Sequence, residues 1–143
     1  LGHWLLEPRV LGELPEKLAY VFEGISEVIA VHEPDVVAVE GVFYAKNARS
    51  AIILAHARGV ALLAAARAGL PVFEYAPSSV KRAVGASGKA QKESVTRMVC
   101  TLLGLEEVER ADCADALAVA LCHLNQAPAA QRPAGGYQIV RRS

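Results

Sequence analysis

Residues 35–47 read DVVAVEGVFYAKN, and the fold turns on how this stretch is read. Val36, Val37, Ala38 and Val39 run without the apolar–polar alternation of a strand that has one wet face. The run is therefore expected to be a strand buried on both faces, the pattern of a parallel sheet in an α/β protein. Glu40 closes it. A charge that meets an apolar strand needs a partner, and in parallel α/β sheets functional groups gather at the carboxyl ends of strands.

The flanks fit that strand. Upstream, Pro15 opens a helix, and Leu18, Val21, Phe22, Ile25, Val28 and Ile29 recur at helical spacing until Pro34 stops it. Downstream, an alanine-rich helix is predicted from Ala48 to about Ala68, closed by Gly69, and then a second apolar strand, PVFEYA, at 71–76. Strand, helix, strand is a parallel crossover. Ser78 or Ser79 is expected to cap a short helix through Val84. The loop GASGKA (85–90) follows, then a helix over QKESVTRMVCTLLG that ends at Gly104, and a last helix from Asp112 to about Asn125. Ahead of all this, LGHWLLEPRVL (1–11) reads as one short strand that Pro8 either confines to an edge or ends. The tail, APAAQRPAGGYQIVRRS (127–143), lacks periodicity and is expected to be mobile.

At 143 residues and 53% hydrophobic positions, the chain suits one well-cored domain, 1–126, plus the tail. Lysine plus arginine equals aspartate plus glutamate at 15 each, so net charge alone argues for no polyanionic partner. The apolar stretches are read as shorter than the ~20 residues of a membrane span, and no leader pattern opens the chain, which points to the cytoplasm. Three cysteines without CxxC spacing suggest neither a disulfide framework nor a zinc site.

The chemistry concentrates in ADCADALAVALCHL (111–124). Asp112 and Asp115 are three residues apart and share one helical face. Both are favourable near a helix N-terminus, where Asp112 is placed to be the N-cap; the sharper reading is a divalent cation, since carboxylates suit magnesium or manganese. Glu40 strengthens the second reading if its strand end and this helix start meet. Charge is also uneven along the chain. Lys81, Arg82, Lys89, Lys92 and Arg97 outnumber Glu93 between 79 and 97, and Glu106, Glu107, Glu109, Asp112 and Asp115 outnumber Arg110 between 105 and 115. The basic segment is either a solvated face or a set of phosphate contacts. Phe43 and Tyr44 either pack under their loop or stack on bases.

These residues carry a resemblance. PDVVAVEGVFYAKNARSA, ARGVALLAAARAGLPVFEYAPSSVKRAV, KAQKESVTRMV and ADCADALAVALCH stand in the order and at the spacing of the RuvC family, bacterial crossover-junction endodeoxyribonucleases of the RNase H-like, retroviral-integrase superfamily. The chain resembles that family over about residues 11–126. The resemblance implies an α/β fold with an RNase H-like mixed sheet flanked by helices. It implies a homodimeric, cytoplasmic enzyme of DNA recombination and repair that nicks four-way Holliday junctions symmetrically by two-metal hydrolysis. Mg2+ is the implied cofactor, with Mn2+ as substitute, two ions in the complete site, and the RuvA/RuvB branch-migration complex is the implied partner.

Residue by residue, Glu40, Asp112 and Asp115 match the family's catalytic metal ligands, with Cys113 where alanine is usual. Phe43 matches the aromatic that enters the junction core, and Lys81 and Lys92 match DNA-contacting lysines; Tyr44, Lys46 and Lys89 are placed beside them on the DNA-binding side. The family's glycine loop usually has a GxG pattern, where this chain has Ala86-Ser87-Gly88. The family's first two strands, the first bearing a metal-bridging aspartate, find no counterpart in residues 1–13, where Glu7 sits before Pro8. A chain without that aspartate is expected to cut poorly or not at all, and one without the strand to leave β backbone unpaired along Val36–Val39. Two rival readings are a junction-binding protein that does not cut and an α/β interaction domain whose long alanine-rich helix is a contact face.

Overall fold

Pro15 lies in the first turn of the first helix, α1 (Leu14–His32), where its missing N–H costs nothing. The Glu16 carboxylate accepts the Glu13 N–H at 3.1 Å, one arm of a capping box. Glu33 ends the helix in the left-handed region at φ 44°, its N–H donating to the Ile29 carbonyl at 2.9 Å, and Pro34 prevents continuation.

The computed structural model describes Leu6 and residues 12–41, 48–85, 92–108 and 110–127. After α1 come β1 (Val37–Glu40), α2 (Ala48–Arg67), β2 (Val72–Tyr75), α3 (Pro77–Ala83), α4 (Lys92–Leu103) and α5 (Ala111–Gln126). The strand expected at 1–11, the loop with Phe43, Tyr44 and Lys46, the GASGKA loop beyond Gly85 and the tail beyond Ala127 lie outside the described residues.

Among the described residues the sheet has two strands, β1 beside β2. Val37 N–H donates to the Pro71 carbonyl at 2.9 Å, and Gly41 N–H to the Tyr75 carbonyl at 2.8 Å; this constant offset is the register of a parallel pair. Residues 37–39 are half-buried rather than buried on both faces, which corrects the reading of the apolar run.

The described residues fall into two compact units. One contains Ala38–Gly41 and the residues from Glu74 onward. Its core is Val80, Val84, Val95, Val99, Leu117, Ala118, Val119 and Cys122, with α5 packed against both α3 and α4. Asn125 Nδ2 donates to the Ala83 carbonyl at 3.3 Å, tying the ends of α3 and α5. The other unit holds α1 packed on α2. There Leu6 lies over Gly24, close enough that a Cβ at that glycine would stand 2.5 Å from a Leu6 methyl.

Two glycine stops behave as expected. Gly69 (φ 71°) closes α2, with Leu70 N–H to Ala65 O at 3.0 Å and Gly69 N–H to Ala66 O at 3.1 Å, the pair of bonds of a Schellman motif. Gly104 (φ 64°) follows α4 with Leu105 N–H to Cys100 O at 2.9 Å.

Two cap assignments are corrected. Neither Ser78 nor Ser79 caps α3: Ala76 is the N-cap and Pro77 opens the helix, a residue whose fixed φ makes the turn without a side-chain acceptor. Asp112 does not cap α5: Arg110 holds that position, its carbonyl accepting from Cys113 and Ala114, so Asp112 falls inside the first turn. A third correction concerns α2. An 18-residue window of this 20-residue helix has a mean hydropathy of 1.3, and the helix would suffice to cross a bilayer on length and composition alone. Small alanines conceal that apolarity in a reading by large hydrophobic residues.

Candidate functional site

Glu40 is the last residue of β1, so the strand delivers its carboxylate to the sheet's carboxyl end. Asp115 enters from α5. Ala114, Leu117 and Ala118 bury that helix, and the rotation this imposes leaves Asp115 half-buried at the core's rim. The two acids line one cleft of about 370 Å³ together with Lys81 of α3 and an apolar wall of Pro77, Val80, Val95 and Ala118. A strand end and a helix start from distant parts of the sequence thus line one cavity, with a lysine in the same lining.

Asp112 lies one turn earlier on α5, exposed, and is not among the residues lining the cleft. Among the described residues no group of three or more His, Cys, Asp and Glu side chains is arranged to hold a metal. Two carboxylates lining one cleft fit a hard dication, because magnesium keeps most of its waters and takes one or two protein carboxylates with the rest from substrate phosphate. A second ion would require a further oxygen ligand.

Of the predicted DNA-binding residues, Lys81 is placed in the cleft. Lys92 opens α4. Phe43, Tyr44, Lys46 and Lys89 lie outside the described residues.

One pair escaped the sequence reading. Tyr75, the last residue of β2, hydrogen-bonds through its hydroxyl to His123 Nδ1 at 2.7 Å, with the rings edge to face at 5.9 Å and 67°. His123 is 4% exposed, the one buried polar side chain of the described core. Burial pushes the Tyr75 phenol above its ordinary value, and the neighbouring Cys122 thiol adds to that. Burial likewise raises the Cys122 thiol, with Arg82 pulling the other way. The available signal was a histidine on the apolar face of a helix and a hydroxyl-bearing aromatic closing a strand; two such groups need partners when buried.

Comparison with known proteins places the chain in a family. The family model described as "Crossover junction endodeoxyribonuclease RuvC" matches residues 9–123. A protein of that name from Myxococcus xanthus is 54% identical over 132 residues, covering 91% of this chain and 69% of the relative. One from Trichlorobacter lovleyi is 54% identical over 113 residues, covering 79% of this chain and 64% of the relative. The chain therefore spans about two thirds of the length of these relatives. Among solved structures, Thermus thermophilus RuvC in complex with a Holliday junction substrate superposes with a TM-score of 0.76 at 35% identity, covering 86% of this chain and 76% of that one. Another Thermus thermophilus RuvC structure gives 0.75 at 36% identity.

Proposed function

The chain belongs to the crossover junction endodeoxyribonuclease RuvC family, the nucleases of Holliday junction resolution, and on that premise we propose that it cuts four-way DNA junctions at the Glu40–Asp115 cleft. The observation that carries this placement is the meeting of Glu40, Asp115 and Lys81 around one cavity.

Glu40 and Asp115 would hold a divalent ion, Mg2+ or Mn2+, and Asp112, one turn away on α5, would add negative charge nearby. An ion bound there would supply a water of lowered pKa and neutralise charge on the scissile phosphate. Lys81 draws a phosphate oxygen into the cleft and offsets part of its charge. The apolar wall of Val80, Val95 and Ala118 excludes water behind the reacting phosphate and so strengthens each of these attractions.

The remaining assignments rest on the family reading. β1 and β2 belong to an RNase H-like mixed sheet, and residues 1–126 work as the nuclease domain with 127–143 appended. Phe43 enters the junction core beside Tyr44, while Lys46, Lys89 and Lys92 contact the backbone. The enzyme acts as a cytoplasmic homodimer with the RuvA/RuvB complex as partner. Ile52, Ile53, Leu54 and Leu63, large and exposed on α2, support pairing with a second copy, and Arg49, His56 and Arg58 on the same helix make a bilayer a poor host.

Nicking of a labelled four-way junction in Mg2+ tests the cleft. Glu40→Gln and Asp115→Asn are expected to lower nicking by about 10²–10³-fold, the scale of losing one electrostatic stabiliser of a transition state. Both should still shift the junction in a gel with Ca2+. Retention of nicking by both variants would remove the cleft from the mechanism.

A further inference from the structure

We propose that Tyr75 is a positioning residue of the metal cleft, holding the strand that carries Glu40 with its backbone and the helix that carries Asp115 with its hydroxyl. The inference rests on the reading of Glu40 and Asp115 as the carboxylates that hold the ion.

The backbone half is direct. The Tyr75 carbonyl accepts the N–H of Gly41 at 2.8 Å, and Gly41 is the buried neighbour of Glu40. That bond closes the parallel ladder at the Glu40 end of β1. The side-chain half runs through α5. The Tyr75 hydroxyl meets His123 Nδ1 at 2.7 Å, and His123 follows Asp115 by eight residues, about two turns or 12 Å along a helix. A helix is stiff over that length, so fixing its roll and height at His123 sets where Asp115 points. The bond forms with either imidazole tautomer, the phenol donating to a bare Nδ1 or accepting from an Nδ1–H. Tyr75 is thereby joined to both walls of the cleft without lining it.

A purely structural tie would stabilise the core and leave ion binding alone. A positioning tie makes a different prediction, because groups that orient metal ligands from behind change metal affinity by about 10–100-fold when removed. Tyr75→Phe keeps the ring, the carbonyl and hence the Gly41 bond, and removes the hydroxyl alone.

The test titrates the full chain with Mn2+ without DNA, following free Mn2+ by electron paramagnetic resonance, and then measures the Mg2+ dependence of junction nicking. Tyr75→Phe and His123→Leu are expected to weaken Mn2+ binding about tenfold and to raise the half-saturating Mg2+ by the same factor, with the rate at saturating Mg2+ close to wild type. His123→Asn, which offers a polar atom near the place of Nδ1, is expected to restore most of the affinity. Mn2+ binding by Tyr75→Phe within about twofold of wild type overturns the proposal, whatever its thermal stability. If Tyr75→Phe does not fold, the comparison passes to His123→Asn and His123→Leu, and equal Mn2+ affinities in those two overturn it. Glu40→Gln separates the two levels of the argument. Loss of Mn2+ binding in Glu40→Gln with Tyr75→Phe unaffected overturns the Tyr75 role alone, whereas wild-type binding in Glu40→Gln overturns the cleft reading and this inference with it.

Discussion

Cys122 has no accessible surface, and its thiol receives the amide of Gln126 at 3.0 Å, an arrangement suited to a neutral sulfur. Burial raises its pKa above the ordinary 9.0 and raises that of Tyr75 above 10.0. In both cases the folded chain holds its proton more tightly than the unfolded chain. Stability is therefore unaffected by these groups below about pH 9; above it the unfolded thiol, then the unfolded phenol, ionises and unfolding gains. The expected result of thermal melts across pH 7 to 11 is a Tm that begins to fall near pH 9, more gently in Cys122→Ala although that variant starts lower for the cavity it leaves. Parallel pH profiles for the two proteins would show that Cys122 is not the group responsible. Chemistry of this kind is legible in the sequence only as a tendency of cysteine to be buried; its partners, Tyr75 and Arg82, are 47 and 40 residues away along the chain.

At the scale of elements, α2 is the least committed helix. Ala64 and Ala65 are its buried residues, while Ile52, Ile53, Leu54 and Leu63 remain exposed, and no atom would meet a Cβ built on Gly59 within 4 Å. Gly59→Ala is thus expected to stabilise the chain by about 0.5–1 kcal/mol, the helix-propensity difference, measured by urea unfolding at low protein concentration. A concentration-dependent loss of stability would instead put Gly59 in a close helix–helix contact between copies. The elements themselves were readable because their signals are local. Pro15 and Pro34 bracket α1, Gly69 and Gly104 close α2 and α4, and the apolar runs ahead of Glu40 and through Val72–Tyr75 mark the strands. The caps of α3 and α5 were misread because serine and aspartate are favoured there on average, whereas Pro77 and the Arg110 carbonyl settle these two helix starts by backbone geometry. The cleft was half legible. Glu40 and Asp115 followed from strand-end and helix-start logic, but the placement of Asp112 outside the lining depends on the roll of α5, which its packing against α3 and α4 determines.

For the whole molecule, equal numbers of acidic and basic residues mean that attraction for DNA has to come from where charges stand. The cleft is lined by two carboxylates and one lysine, and the carboxylates disfavour an approaching phosphate until a dication is added. Junction affinity is accordingly expected to be weak in chelator and to strengthen in Ca2+, which occupies carboxylate sites without supporting rapid hydrolysis. In Ca2+ the affinity should fall steeply between about 50 and 200 mM salt, since each neutralised phosphate contributes roughly −0.9 to the slope of log K against log salt. Lys81→Ala should make that slope shallower by about one phosphate contact per chain and weaken binding to all junction sequences alike. Lys17→Ala, on α1, serves as the charge-matched control and should leave the slope unchanged. Fluorescence anisotropy with a labelled junction reads all three. If Lys81→Ala and Lys17→Ala give the same slope as wild type, Lys81 is part of a solvated face and the phosphate must be held by the dication and by residues elsewhere on the chain. If Lys81→Ala alone loses a contact, the lysine and the two carboxylates act on the same phosphate, and the charge segregation between residues 79–97 and 105–115 has its physical purpose.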